Sequence, residues 1–385
     1  MSTHCDVAII GGGSVGAALA LALRDSGLSV IVLEARMAED AGADPRALAL
    51  SYGSRLLLER LGVWRKIALV SAINIIHISQ KNSYGRAVLR ADELNVPDLG
   101  YVLPYPALQA ALHGALQASA ITYLSGAAVT QLQTKADGAR ITYQHEGSEH
   151  ALNARLAVVA DGGKLLETMH PPMLHDYGQS AVITHVTCEY PQPDTAFERF
   201  TAHGPVALLP YKDGYELVWT VAHDAAQEML QWNDAVFLTQ LHQHFGDRVG
   251  EFLTVGKRAC FPLRLKRAPD ITLPHTVLLG NAAQTLHPVA GQGFNMGLRD
   301  AWELAQVILH SSSEALGTTA MLENYTKSRR LDRNAGIRFT DSLVRAFSND
   351  LPLLSGGRGL ALSVLDCLPG AKKFVAKRMM FGANG

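Results

Sequence analysis

The run CDVAIIGGGSVG at residues 5–16 leaves this chain few ways to begin folding. A short apolar stretch meets three glycines, and the alanine- and leucine-rich segment AALALALRDSG follows. That order reads as strand, tight turn and helix, and SVIVLEAR at residues 29–36 supplies a second strand, making a βαβ unit. Gly11-x-Gly13-x-x-Gly16 has a spacing with a physical purpose at each glycine. The first permits the turn, the second admits a pyrophosphate against the backbone, and the third lets helix and strand pack closely. The helix N-terminus then offers unbonded N–H groups and a positive dipole end to phosphate. Glu34, closing the second strand, can accept hydrogen bonds from ribose hydroxyls, which disfavours a 2′-phosphate. FAD or NAD(H) is therefore the expected dinucleotide.

A second glycine-rich loop narrows the choice. TVLLG at 276–280 reads as a strand, and residues 281–300, NAAQTLHPVAGQGFNMGLRD, lead from it into a helix. Asn281 offers an amide donor and a carbonyl acceptor to a hydroxylated ligand. Gly291, Gly293 and Gly297 relieve steric limits, so that backbone N–H groups can converge. Asn295 is expected to cap the helix, whose apolar stripe runs through Leu298, Ala301, Trp302, Ala305 and Ile308. A dinucleotide has one pyrophosphate, so the second anion site needs another occupant. A reduced flavin ring, negative along its N1–O2 edge, meets that need.

Two further stretches carry alternatives. In DPRALAL, residues 44–50, Arg46 precedes an apolar helix, either as a solvated side chain or as a ligand contact. In AVVADGG, Asp161-Gly162 ends a buried strand, where open α/β sheets bind ligands, or simply forms a turn.

The rest of the pattern bounds the architecture. Strands are expected at 75–79, 140–144, 155–161 and 216–221, and helices at 46–61, 105–118, 296–309 and 319–347. Residues 178–268 are richer in aromatics, proline and alternation. The expected fold is α/β: a discontinuous Rossmann-like domain (1–74, 100–177 and 269–350) with an inserted, mostly antiparallel α+β domain (75–99 and 178–268) and a helical C-terminus (351–385). A net charge of −1 and the lack of a basic, aromatic-interleaved run exclude an obvious nucleic-acid partner. Four scattered cysteines suit a reducing cytosol and predict neither a disulfide framework nor a metal site. No signal-peptide pattern and no run of ~18 apolar residues is present, so a cytoplasmic protein is expected.

Taken together, GGGSVG with Glu34, DPRALAL, Asp161-Gly162 and the 280–300 loop resemble the FAD-dependent aromatic hydroxylases of ubiquinone biosynthesis, which are monooxygenases of the para-hydroxybenzoate hydroxylase type. FERFTAHGPVALLP (197–210) and YTKSRRLDRN with TDSLVRAF (325–347) extend the resemblance over essentially the whole chain. The resemblance implies that Gly11, Gly13, Gly16 and Glu34 hold the ADP half of FAD. Arg46 and Gln109 would hold its phosphate and ribityl region, Asp161 and Gly162 would serve both FAD and the nicotinamide donor, and Arg36 and Val129 would complete the cofactor site. Asn281 would face the ribityl chain, and Pro288, Gly291, Gln292, Gly293, Phe294 and Asn295 would pass beside the flavin ring. Asn281 stands where the family usually has Asp, Gln284 where many members have His, and Leu165 where a Ser is usual; GNAAQTLHP nevertheless resembles the branch acting on 2-polyprenyl-6-methoxyphenol.

The implied reaction consumes NAD(P)H and O2 and hydroxylates a polyprenyl phenol through a flavin C4a-hydroperoxide. His287 and Tyr211 are the candidates for contact with the phenol. The alternatives are hydroxylation at another ring position, a flavin-binding scaffold of a ubiquinone-biosynthesis complex, and a plain NAD(H) dehydrogenase. Residues 351–385 carry Arg358, Lys372, Lys373, Lys377 and Arg378 against one acid. They are expected either to lie on the inner face of an anionic membrane or to cover the cofactor domain.

Overall fold

The computed structural model describes residues 3–37, 46–167, 170–287, 291–347 and 352–384. One sheet contains β1 (Thr3–Ile10), β2 (Val30–Glu34), β8 (Thr122–Ser125), β9 (Ala128–Lys135), β10 (Gly138–His145), β11 (Ser148–Val159), β18 (Thr272–Leu273) and β19 (Thr276–Leu278). Its main path is β18-β19-β11-β1-β2-β8, with β19, β11, β1, β2 and β8 parallel. Val7, Ala8 and Ile9 are fully buried, which explains why β1 reads as a continuous apolar run: helices cover both faces of a parallel sheet. α1 (Ser14–Ala22) packs between α3 (Tyr105–Gln117) and α6 (Gln292–Leu309), and seven of its residues are buried. Its lack of a polar face follows from that position.

The second sheet comprises β5 (Ile75–Gln80), β6 (Arg86–Arg90), β12 (Met173–Cys188), β13 (Thr195–Thr201), β14 (Gly204–Tyr211), β15 (Gly214–Ala222), β16 (Phe252–Val255), β17 (Ala259–Arg267) and β20 (Gln284–Thr285). Its path is β20-β17-β12-β15-β14-β13-β5-β6, antiparallel except where β13 meets β5. One face packs Leu217 and Trp219 against α5 (Asp234–Phe245), with Ala226 and Met229 of α4 (His223–Gln231) in the same core. The opposite face lines a cavity. The mixed α/β architecture matches the fold class expected from the sequence.

A small third sheet contains β3 (Ala47–Ser51), β4 (Ser71–Ile73) and β7 (Gly100–Pro104). It corrects one expectation. Residues 46–61 were expected to form one helix, but Ala47–Ser51 pair antiparallel with Gly100–Pro104 and the helix α2 spans only Tyr52–Arg60. Alternation in ALALS fits a strand as well as a helix, and pairing with β7 outweighs the helix propensity of Ala and Leu. Ser51 then caps α2 by accepting from the Ser54 N–H at 3.2 Å.

α7 (Thr319–Phe347) packs on α6, and the chain ends in α8 (Pro352–Cys367) and α9 (Pro369–Phe381). Asp366 of α8 accepts from the Val88 N–H of β6 at 2.9 Å, and Ser51 donates to the Met380 carbonyl of α9 at 2.9 Å. The C-terminal helices thus form part of the cavity wall.

Candidate functional site

The first glycine loop has the geometry its spacing requires. Gly11 has φ +105°, and a Cβ there would stand 2.6 Å from the Ala160 carbonyl. A Cβ on Gly16 would overlap the Gly11 carbonyl oxygen, so this glycine sets how closely helix approaches strand. Gly13 differs: a Cβ would reach nothing nearer than Tyr105 Oη at 4.0 Å, because this backbone opens onto the cavity. Glu34 accepts from the Gly12 N–H at 2.7 Å and from Arg36 Nε at 3.0 Å, which fixes its carboxylate beside the loop. That hydrogen bond to Glu34, reinforced by charge, holds the Arg36 guanidinium above its ordinary pKa. Gln109 lies behind the loop, accepting from Ser14 Oγ at 2.8 Å and donating to the Gly12 carbonyl at 3.1 Å. It braces the loop and is not among the described residues lining the main cavity.

The second loop departs from expectation in one respect. α6 begins at Gln292 with Gly291, at φ +62°, as its N-cap. Asn295 lies inside the first turn and is buried. Its side chain accepts from the Ser51 N–H at 2.8 Å and Ser54 Oγ at 2.7 Å, and donates to the Ala49 and Gly291 carbonyls at 3.0 and 2.6 Å. Asn295 therefore staples β3 to α6 rather than capping the helix. Gly297 lets the helices close up, since a Cβ there would stand 2.9 Å from Val15. At Gly293 the nearest atom would be Leu286 Cβ at 4.0 Å, so this turn also opens onto the cavity.

The two loops share one cavity of about 1320 Å³. That exceeds the roughly 300–1,000 Å³ typical of a single-ligand pocket. Gly11, Gly13, Glu34, Arg36, Arg46, Val129, Asp161, Gly162, Asn281, Gly291, Gln292, Gly293, Phe294 and Asn295 all line it. Asp161 follows the end of β11 and accepts from the Gly163 and Leu165 N–H groups at 2.7 and 2.9 Å, so it also builds its own turn. The Arg46 guanidinium lies over the Phe261 ring, 5.4 Å from its centroid. Gln284 is buried away from the cavity lining, donating to Asp300 at 2.7 Å and accepting from Arg333 Nε at 2.9 Å. Pro288 lies outside the described residues. Open backbone at Gly13 and Gly293, each at a helix N-terminus in one continuous space, fits a cofactor with a pyrophosphate at one end and a ring that gains negative charge at the other.

Neither phenol-contact candidate lines this cavity among the described residues. Tyr211 packs with Ile73, Val102 and Ala196, and burial followed by the charge of Glu216 raises its pKa. His287 is buried with the Tyr177 ring edge-on at 5.3 Å, and loss of water around the imidazolium lowers its pKa to about 4. An ionisable group missed from sequence does face the cavity: Glu198, on β13. Burial raises its carboxyl pKa to about 7. Its partly exposed surface belongs to the cavity interior, where the surrounding atoms still desolvate the charge. Alternation puts Ala196, Glu198 and Phe200 on one strand face, but only the pairings with β14 and β5 make that face an apolar cavity wall.

The model of the FAD binding domain family matches residues 4–340. An uncharacterized protein of Synechocystis sp. is 36% identical, covering 99% of this chain and 94% of that protein. The 3-demethoxyubiquinol 3-hydroxylase of Escherichia coli strain K12 is 32% identical with 93% of each chain covered. The solved structure of p-nitrophenol 4-monooxygenase PnpA from Pseudomonas putida DLL-E4 shares the fold, with a TM-score of 0.78 over 100% of both chains at 17% identity. With two glycine loops opening onto one cavity and homology over nearly its full length, this chain belongs to the FAD binding domain family and is an FAD-dependent monooxygenase related to the ubiquinone hydroxylases.

Proposed function

We propose that this monooxygenase hydroxylates the phenolic ring of 2-polyprenyl-6-methoxyphenol, using NAD(P)H as electron donor and O2 as oxygen source. The observation that carries the reading is the continuity of the cavity. From Gly13 and Gly293 it passes into an apolar limb bounded by Ile76, Ile78 and Leu89 on the sheet and by Leu362, Leu365 and Met379 on the C-terminal helices. Such a limb suits a polyprenyl tail, while the loop end suits FAD. The relative named 3-demethoxyubiquinol 3-hydroxylase supports a ubiquinone precursor. The division into an FAD-binding body (1–74, 100–177 and 269–350) and a substrate-facing insertion (75–99 and 178–268) belongs to the same proposal.

The chain's own residues supply binding, orientation and dryness. Backbone N–H groups at 13–16 and the Glu34 carboxylate would hold the ADP half. The N-terminal turn of α6 would favour negative charge on the ring. FAD supplies the activation of O2 when bound. The apolar walls keep water from the reacting centre, where it would divert the oxidant.

The C-terminal helices offer a place for the substrate to enter. Leu360 and Val364 lie one turn apart on α8 and are exposed, as are Leu368 at the junction of α8 and α9 and Phe374 beside Lys373 of α9. This face suits peripheral contact with an anionic membrane. Among the described residues no helix is long and apolar enough to cross one. Replacing Leu360, Val364, Leu368 and Phe374 together by Ser is expected to abolish co-sedimentation with phosphatidylserine-containing vesicles; undiminished sedimentation would remove this part of the reading.

The substrate reading is tested by following NAD(P)H oxidation by the FAD-loaded protein with and without 2-methoxy-6-prenylphenol. Strong stimulation by the phenol is expected. Bound FAD without stimulation would favour a scaffold role, and protein that binds no FAD would defeat the reading altogether.

A further inference from the structure

Glu198 is an acidic side chain where the fold gives it little company. Cross-strand pairing sets it in a row Ile183–Val218–Ala207–Glu198–Ile78 on the cavity face of the second sheet. The four other members are apolar. Among the described residues no donor reaches its carboxyl and no cation pairs with it. The neighbouring strands bring no charge to it. β5 presents Ile76 and Ile78, and β14 presents Pro205, Ala207 and Leu209. Arg199, next along β13, turns away and donates to the His244 carbonyl at 3.2 Å. His77, Arg86 and Arg248 interact with one another rather than with Glu198. Glu216, two strands away on the same face, is bonded to His185 at 3.3 Å. Arg264, at the far edge, pairs with Asp176 at 2.9 Å. On α8, Asp366 pairs with Lys372 at 3.6 Å.

A carboxyl with no partner in an apolar cavity wall costs stability and needs a reason to persist. Here the reason lies in the cavity. We propose that Glu198 is the catalytic base of the hydroxylation, receiving the O–H of the phenol and taking its proton as the ring is oxygenated. The phenol O–H bond breaks, its electron pair stays on the phenol oxygen and enriches the ring, and a new O–H bond forms on the carboxylate. No electron leaves or enters in this step. Withdrawal of the proton makes the ring a better nucleophile toward an electrophilic oxygen. Burial supports the assignment, because it brings the carboxyl pKa to about 7, where it can both take and return a proton near neutrality.

This inference rests on the reading of a phenolic substrate, and its test separates the two. Glu198→Gln keeps the size and polarity of the side chain but cannot accept a proton. With 2-methoxy-6-prenylphenol, kcat of the variant is expected to fall at least about 100-fold, with FAD content and melting temperature unchanged. The native pH profile of kcat/KM should rise through an apparent pKa near 7, and that limb should vanish in Glu198→Gln. A second readout needs no turnover: binding of the phenol to FAD-loaded protein without NAD(P)H, followed by flavin absorbance. Native affinity should tighten as pH rises through about 7, because the ionised carboxylate is the better acceptor, while the variant stays flat.

A variant within about threefold of native rate, retaining the rising limb, would overturn the role of Glu198 while leaving the substrate reading intact. A native protein that the phenol does not stimulate would instead sink the substrate reading. Should Glu198→Gln fail to hold FAD, the native binding profile and Glu198→Asp decide. A flat native profile, or loss of the limb in the carboxylate-bearing variant, overturns the assignment.

Discussion

Gly13 and Gly16 belong to one motif but obey different constraints. The Gly16→Ala methyl would overlap the Gly11 carbonyl, whereas the Gly13→Ala methyl would point into open cavity. Gly16→Ala should therefore destabilise the protein even without cofactor, by about 1–3 kcal/mol. Gly13→Ala should melt within about 1 kcal/mol of native yet bind FAD at least tenfold more weakly, because the methyl intrudes where the pyrophosphate approaches. Urea denaturation of the stripped proteins and FAD titration separate the two effects. His287 makes a pH prediction. Its folded pKa of about 4 lies below the ordinary value of 6.5, so the unfolded chain binds its proton first as pH falls. Its contribution to stability is complete above pH 6.5 and is lost progressively toward pH 4. Between pH 7 and pH 5 the native protein should lose about 2 kcal/mol more stability than His287→Asn, measured by urea denaturation at each pH. These residues differ in how legible they were. Gly11, Gly13, Gly16 and Glu34 are readable because local chain geometry dictates their spacing. Asn295 read as a cap because a cap needs only local sequence, whereas its bonds to Ser51 and Ser54 join positions 244 and 241 residues apart. Glu198 went unread because nothing local shows that both its flanking strands are apolar on the same face.

Among the elements, α6 and α7 meet through buried charge. Arg329 Nη2 contacts Asp300 at 2.7 Å and Asp332 at 2.8 Å, and Arg299 reaches Asp332 at 2.9 Å. Burial opposes the charges on Arg329 and Asp332, yet Asp300 and Asp332 hold Arg329 above its ordinary pKa, and Arg299 and Arg329 hold Asp332 below its own. Asp300→Leu should cost about 3–5 kcal/mol, because it removes the acceptor of the Gln284 amide and leaves Arg329 to share Asp332 with Arg299. The double variant Asp300→Leu, Arg329→Met should lose less than the two single changes summed, in a denaturant double-mutant cycle. Gln284, unusual beside the family resemblance, is explained by this network. The long helix 319–347 was legible from its periodicity and lies where expected. The segment 46–51 was not, because alternating Ala and Leu satisfy strand and helix alike until β7 supplies a partner.

At the scale of the molecule, the parallel sheet brings its loops to one end of a cavity and the antiparallel sheet closes the other. The chain's change of texture near residue 178 signalled a second kind of sheet. Residues 75–99 are expected with that insertion, but texture alone could not show that β5 joins its sheet through a parallel pairing with β13. Nor could it show α8 and α9 walling the cavity. The central claim, that this cavity brings a prenylated phenol to FAD, is tested most directly by product analysis. FAD-loaded protein, NAD(P)H and isotopically heavy O2 are incubated with 2-methoxy-6-prenylphenol, and the product is examined by mass spectrometry and NMR. The account predicts one heavy oxygen atom on the aromatic ring. NAD(P)H consumption yielding only hydrogen peroxide, with the phenol recovered unchanged, would contradict it.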